Sequence, residues 1–129
     1  MSADAPLRVV VVDDDDDFRL MLRVQLNLES GVEVVGTAVD GYEAIEVVGD
    51  EAPDAVAMDL LMPNLDGFAA IDRIQREQPE VGLVAYTAVA GRYARERVAA
   101  QGVELVLKSG DPTELVAALR RSVNNRVRP

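Results

Sequence analysis

Five carboxylates in a row, Asp13 to Asp17, follow an apolar run that ends at Val12, and a sixth, Asp59, follows another that ends at Met58. A hydroxyl, Thr87, and an ammonium, Lys108, come after two later runs of the same kind. Carboxylates held close together repel one another and resist full ionisation unless a cation neutralises them. Mg²⁺ suits such a set, because it prefers oxygen ligands in an octahedron, retains several waters, and needs only two carboxylates and a carbonyl from the protein. A cation held there would bridge an acceptor carboxylate and incoming phosphoryl oxygens, while Lys108 and the Thr87 hydroxyl engage the remaining oxygens. Asp59 would serve as nucleophile, giving an acyl phosphate.

The composition removes most other chemistries. There are no histidines, so the commonest general base, the commonest zinc ligand and any Ser-His-Asp triad are absent. There are no cysteines, which excludes disulfides and thiolate metal sites. A net charge of −10 argues against this domain alone gripping a nucleic-acid backbone. With 129 residues, 49% of them apolar, the chain suits one domain with a sizeable core. No stretch approaches the roughly 20 apolar residues of a membrane span, and Met1 to Pro6 lack the pattern of a secretion signal. Cytoplasm is the expected compartment.

The elements that must position these groups follow from hydrophobic patterning. Apolar runs at Leu7–Val12, Val32–Gly36, Asp54–Met58, Val81–Ala85 and Val103–Leu107 lack alternation, as in parallel strands covered on both faces. Helical patterns fill the gaps: about Asp16 to Glu29; Ala44, Ile45, Val47 and Val48; Phe68, Ile71 and Ile74; Val98; and Leu115, Val116, Leu119 and Val123. Ser30-Gly31 ends the first helix, Pro53 and Pro79 precede strands, and Asp111-Pro112 opens the last helix. The expectation is a doubly wound α/β domain, five parallel strands with helices on both faces, over residues 7–123. Residues 1–6 and 124–129 read as tails, the latter carrying Arg126 and Arg128.

In such a sheet, ligands bind outside the carboxyl ends of the strands, where the strand order switches. Asp13, Asp14, Asp59, Thr87 and Lys108 all fall there. The first turn holds acids and no glycine, which rejects a dinucleotide site.

Over about Leu7 to Val123 the sequence resembles a response-regulator receiver domain with a (βα)5 flavodoxin-like fold. The matching residues are Val-Val-Asp-Asp (11–14), Asp-Leu-Leu-Met-Pro-Asn-Leu-Asp-Gly (59–67), Thr-Ala (87–88) and Leu-Lys (107–108). Asp17-Phe18-Arg19, Gly36-Thr37-Ala38 and Gly41-Tyr42-Glu43-Ala44 are similar to the NarL-like branch. The resemblance implies phosphorylation of Asp59 by a sensor histidine kinase. It implies Mg²⁺ bound by Asp14, Asp59 and the Leu61 carbonyl, with Asp13 acting through water. Thr87 would hydrogen-bond the phosphoryl group and Lys108 would pair with it. The resemblance is compatible with a homodimer through the fourth helix, fifth strand and fifth helix, and leaves two outputs open: a stand-alone protein that works by contact, or a piece of a longer regulator with a DNA-binding output domain outside these residues.

Duller readings exist for each residue alone. Asp15 to Asp17 suit a solvated cap on the first helix, and the late arginines suit the charge complement of the last. Two rival functions remain: an unphosphorylated pseudo-receiver, and an aspartate-nucleophile phosphatase using Asp13-x-Asp15, which leaves Asp59 without a role. Leu105 stands three residues before Lys108, where receivers commonly carry an aromatic ring, so readout would rest on Thr87 and the fourth helix; Tyr86 and Tyr93 are candidate substitutes that nothing in the sequence demands. Leu61 is expected to screen an acyl phosphate from water.

Overall fold

Five apolar segments and five amphipathic ones alternate without interruption. The computed structural model describes residues 5–88, 90–109 and 111–126, with backbone alone at 125 and 126. The elements are β1 (Leu7–Val12), α1 (Asp16–Leu28), β2 (Val32–Ala38), α2 (Gly41–Glu51), β3 (Ala55–Met58), α3 (Gly67–Glu77), β4 (Gly82–Thr87), α4 (Arg92–Ala100), β5 (Glu104–Leu107) and α5 (Thr113–Arg126). They form one parallel sheet of order β2-β1-β3-β4-β5, so the order switches between β1 and β3.

The unbroken apolar runs have a plain physical cause. Alternate residues of β1 enter two separate interiors. Val10 and Val12 pack with Ala44 and Val48 of α2, Ile71 and Ile74 of α3, and Val98 of α4. Val9 and Val11 pack with Leu22 and Leu26 of α1 and Leu115 and Leu119 of α5. Both faces of the sheet are therefore covered, and a polar residue mid-strand would be buried on either side. Each such fully buried aliphatic side chain stabilises the fold by about 1.5–3 kcal/mol relative to exposure.

Local signals set the element ends. Asp15, Asp40 and Asp66 cap α1, α2 and α3 by accepting from the backbone N–H groups of Phe18, Glu43 and Ala69. Gly31 takes φ +75 after α1, a left-handed conformation that glycine adopts without strain. Asp111 accepts from the N–H of Thr113 just ahead of α5.

Several boundaries differ from expectation. The second strand continues past Gly36 to Ala38, because a register shift at Val9/Val10 keeps Thr37 and Ala38 paired with Val11 and Val12. The fourth continues to Thr87. The last helix runs to Arg126, beyond the expected end at Val123. Residues 1–4 and 127–129, including Arg128 of the expected tails, lie outside the described residues. Among the described residues no helix is long and apolar enough to cross a membrane.

Candidate metal centre

The ends of β1 and β3 lie side by side at the switch in strand order. Asp13 continues the ladder beyond β1, its N–H donating to Ala38 O at 3.0 Å. Asp59 does the same beyond β3, donating to Val12 O at 3.0 Å. The two acids are thus anchored by backbone hydrogen bonds on neighbouring strands. Carboxylate oxygens of Asp13, Asp14 and Asp59 all lie within 4.8 Å of one another. Asp13 and Asp59 are buried, at 2% and 6% exposure, whereas Asp14 faces solvent.

Each buried carboxylate has one oxygen engaged by backbone and one turned toward Lys108. Asp13 Oδ1 accepts from Asp15 N–H at 2.9 Å, and Asp59 Oδ1 accepts from Leu60 N–H at 2.9 Å. Lys108 Nζ stands 2.5 Å from Asp13 Oδ2 and 3.7 Å from Asp59 Oδ2. It is brought there by β5, whose continuation donates from Lys108 N–H to Thr87 O at 2.8 Å. Thr87 ends β4 opposite Leu107 and is buried.

Electrostatics at Asp59 are unfavourable to charge. Burial pushes its pKa up to about 6, against the pull of Lys108, and the neighbouring charges of Asp13 and Asp14 push the same way as burial. Negative charge is therefore incompletely compensated by the side chains present. Three hard oxygen donors within 4.8 Å of one another, two of them buried, suit a small divalent cation.

The loop after Asp59 is held by its own contacts. Gly67 N–H donates to Leu60 O at 3.0 Å, and a Cβ at Gly67 would collide with the carbonyl oxygen of Asp59. Asn64, with φ 66, donates from Nδ2 to Asp40 Oδ2 at 2.8 Å, while Gly41 N–H donates to Leu65 O at 3.0 Å. Leu61 sits in this loop with its side chain 68% exposed. It also lines an apolar cavity of about 240 Å³ with Leu60, Phe68, Gly91, Tyr93 and Ala94.

The remaining expected residues separate into distinct roles. Asp15 caps α1, its carboxylate accepting from the N–H of Phe18 at 3.0 Å. Asp16 pairs with Arg19, which also donates to Asp13 O. Leu105 packs against the core beneath α4. Tyr86 is buried against Phe18, with ring centroids 6.1 Å apart, whereas Tyr93 lies on the surface beside Phe68 and accepts from Arg97.

Three residues here had no assigned role in the site from sequence: Phe18, Asp40 and Asn64. Asp40-x-x-Glu43 has the spacing of a capping box and could have been read as a helix start, although Glu43 accepts from the N–H of Val39, one residue before the cap, at 3.1 Å. The contacts of Phe18 with Lys108 and of Asn64 with Asp40 cross long stretches of chain and leave no local pattern.

Comparison with known proteins agrees with this geometry. The family profile for the response regulator receiver domain matches residues 9–120. Response regulator protein VraR of Staphylococcus saprophyticus is 31% identical over 93% of this chain and 58% of its own length. Chemotaxis protein CheY of Thermotoga maritima is 34% identical over 88% of this chain and 95% of its own. Other curated relatives are protein-glutamate methylesterases, of whose length the chain covers 33% or less. The solved receiver domain of the response regulator NarL from Mycobacterium tuberculosis superposes with a TM-score of 0.86 at 29% identity, covering 95% of this chain and 99% of its own. A five-stranded parallel α/β fold, an acid triad at its switch point and a match along most of the sequence make one conclusion: the chain belongs to the response-regulator receiver family.

Proposed function

We propose that the chain is a phosphoacceptor in two-component signalling, taking a phosphoryl group on Asp59 from a phosphohistidine of a partner sensor kinase. The observation that carries this reading is the placement of Asp59 Oδ2, turned toward Lys108 Nζ at 3.7 Å while Oδ1 is held by Leu60 N–H. Oδ2 is the nucleophile. Its bond to phosphorus forms as the bond from phosphorus to the donor nitrogen breaks, and the donor imidazole leaves.

Asp14 and Asp59 would hold Mg²⁺ directly with the Leu61 carbonyl, and Asp13 would act through water. The bound ion supplies charge neutralisation for the acceptor and the transferring oxygens. Lys108 exchanges part of its contact with Asp13 for a phosphoryl oxygen, and the Thr87 hydroxyl turns to another. Burial of Asp59 keeps competing water away from the attacking oxygen.

Output would pass through the face formed by α4, β5 and α5, to a second copy of this chain or to an output domain of the kind carried by NarL-like regulators. The test is incubation with Mg²⁺ and a small acyl-phosphate donor, followed by intact mass measurement of the wild type and Asp59→Asn. One phosphoryl group on the wild type and none on the variant is the expected result. No gain on the wild type would favour a pseudo-receiver, and steady turnover of a phosphomonoester would favour a phosphatase.

A further inference from the structure

Lys108 is the only lysine in the chain. Besides Asp13 and Asp59, its ammonium has a third neighbour, the ring of Phe18, whose centroid lies 4.2 Å from Nζ. That ring is backed by Tyr86, at a centroid distance of 6.1 Å and an interplanar angle of 42°. Tyr86 is itself buried, and its hydroxyl meets the backbone of Ser109, the residue after Lys108, at 3.5 Å. Tyr86 thus backs the inner side of the Phe18 ring, while Phe18 itself is half-buried.

A lysine carries a compact, strongly hydrated charge on a flexible four-carbon stem. Carboxylates alone would hold that charge against Asp13, and any cation that neutralises the acids weakens the hold. An aromatic face anchors differently. Its attraction for a cation comes from the ring quadrupole and persists whatever the charge state of the acids. Phe18 packs at the margin of the interior that Leu22 and Leu26 fill from later turns of α1, and its ring face is turned to the ammonium.

We propose that Phe18 is a positioning residue for Lys108, holding the ammonium beside the acceptor carboxylate so that it meets a phosphoryl oxygen without leaving its seat. The proposal rests on the phosphoacceptor reading above and adds to it a determinant on α1. Phe18 acts through Lys108 alone and touches no reacting atom.

The full chain, wild type, Phe18→Leu and Phe18→Trp, is made with isotopically labelled lysine, so that Lys108 gives a single set of lysine resonances. In the metal-free wild type the ε-methylene protons resonate upfield of free lysine, because they lie over the ring. Phe18→Trp keeps an upfield shift and Phe18→Leu loses it. The maximal rate of phosphorylation by acetyl phosphate falls about three- to ten-fold in Phe18→Leu and recovers in Phe18→Trp, with Mg²⁺ affinity unchanged. A Phe18→Leu rate equal to that of the wild type overturns the proposal, as does a wild-type lysine resonance at the free position; the latter needs no variant to fold. Failure of the wild type to gain any phosphoryl group sinks the phosphoacceptor reading and this proposal with it, and is distinct from equal rates in wild type and variant.

Discussion

Asn64 Nδ2 donates to Asp40 Oδ2 at 2.8 Å, a bond that ties the loop after the acceptor carboxylate to the cap of α2. The same carboxylate accepts from Glu43 N–H through its other oxygen, and these two contacts, the backbone one first, lower the pKa of Asp40. The loop that bears Leu61 is thereby fastened to a helix on the far side of β1.

Removing that fastening should loosen the cation site more than the fold. In Asn64→Gly the left-handed backbone is kept and only the amide is lost. The dissociation constant for Mg²⁺, measured by calorimetric titration, is expected to rise about fivefold, which is the net worth of an ordinary hydrogen bond at an exposed position. Unchanged affinity would mean that the loop holds its shape without Asp40.

Asp59 imposes a pH dependence on metal-free stability. Below its ordinary value of 3.8 the carboxyl is protonated in folded and unfolded chains alike, and it contributes no difference. Above about 6 the folded chain must bury the charge while the unfolded chain solvates it. Stability present at low pH is therefore lost as pH rises through the folded value. Asp59→Asn removes this cost and should raise stability by on the order of 1–3 kcal/mol near neutral pH, with the gain vanishing toward pH 4. Thermal melts in chelator across this range check it; a variant less stable than the wild type at neutral pH would contradict the prediction.

The ammonium and a divalent cation answer the same negative charge. Lys108→Met leaves Asp13 buried without its cation, and should destabilise the metal-free protein by about 3 kcal/mol. Mg²⁺ should close most of that gap and bind several-fold more tightly than in the wild type. Equal gaps with and without Mg²⁺, read from melting curves, would show that the two cations do not share the carboxylates.

Leu61 stands exposed beside the acceptor, at the mouth of an apolar cavity. Replacing it by a side chain that can hold a water should hasten loss of the phosphoryl group several-fold in Leu61→Asn. The decay of the phosphorylated form, followed after removal of the donor, measures this directly. An unchanged lifetime would leave Leu61 without a shielding role.

What could be read in advance follows from the range of each interaction. Val9 to Val12 announced a doubly covered strand because four successive residues are apolar without alternation. The positions of Asp13, Asp59 and Lys108 followed from strand ends alone, since β-strands deliver the next residue to one edge of the sheet. Thr37 and Thr87 concealed the true ends of β2 and β4, because a polar residue inside a strand looks like its terminus. The ring of Phe18 looked like ordinary helix packing, and only the approach of a residue from the far end of the chain gives it a cation to face. Asn64 has its partner 24 residues earlier, beyond any helical or strand period.

The glycine at the head of α3 has a consequence for how a signal could leave this domain. Gly67 lies so near the Asp59 carbonyl that no side chain fits between them, while the Asp59 N–H is tied to Val12 and the carbonyl of the next residue, Leu60, is tied to Gly67. The acceptor can turn its carboxylate, but its main chain has nowhere to go. A change of charge there cannot be broadcast by bending the third strand. It has to be handed to groups that reach in from elsewhere, chiefly Lys108, whose carrier β5 is a short edge strand with one buried residue of four.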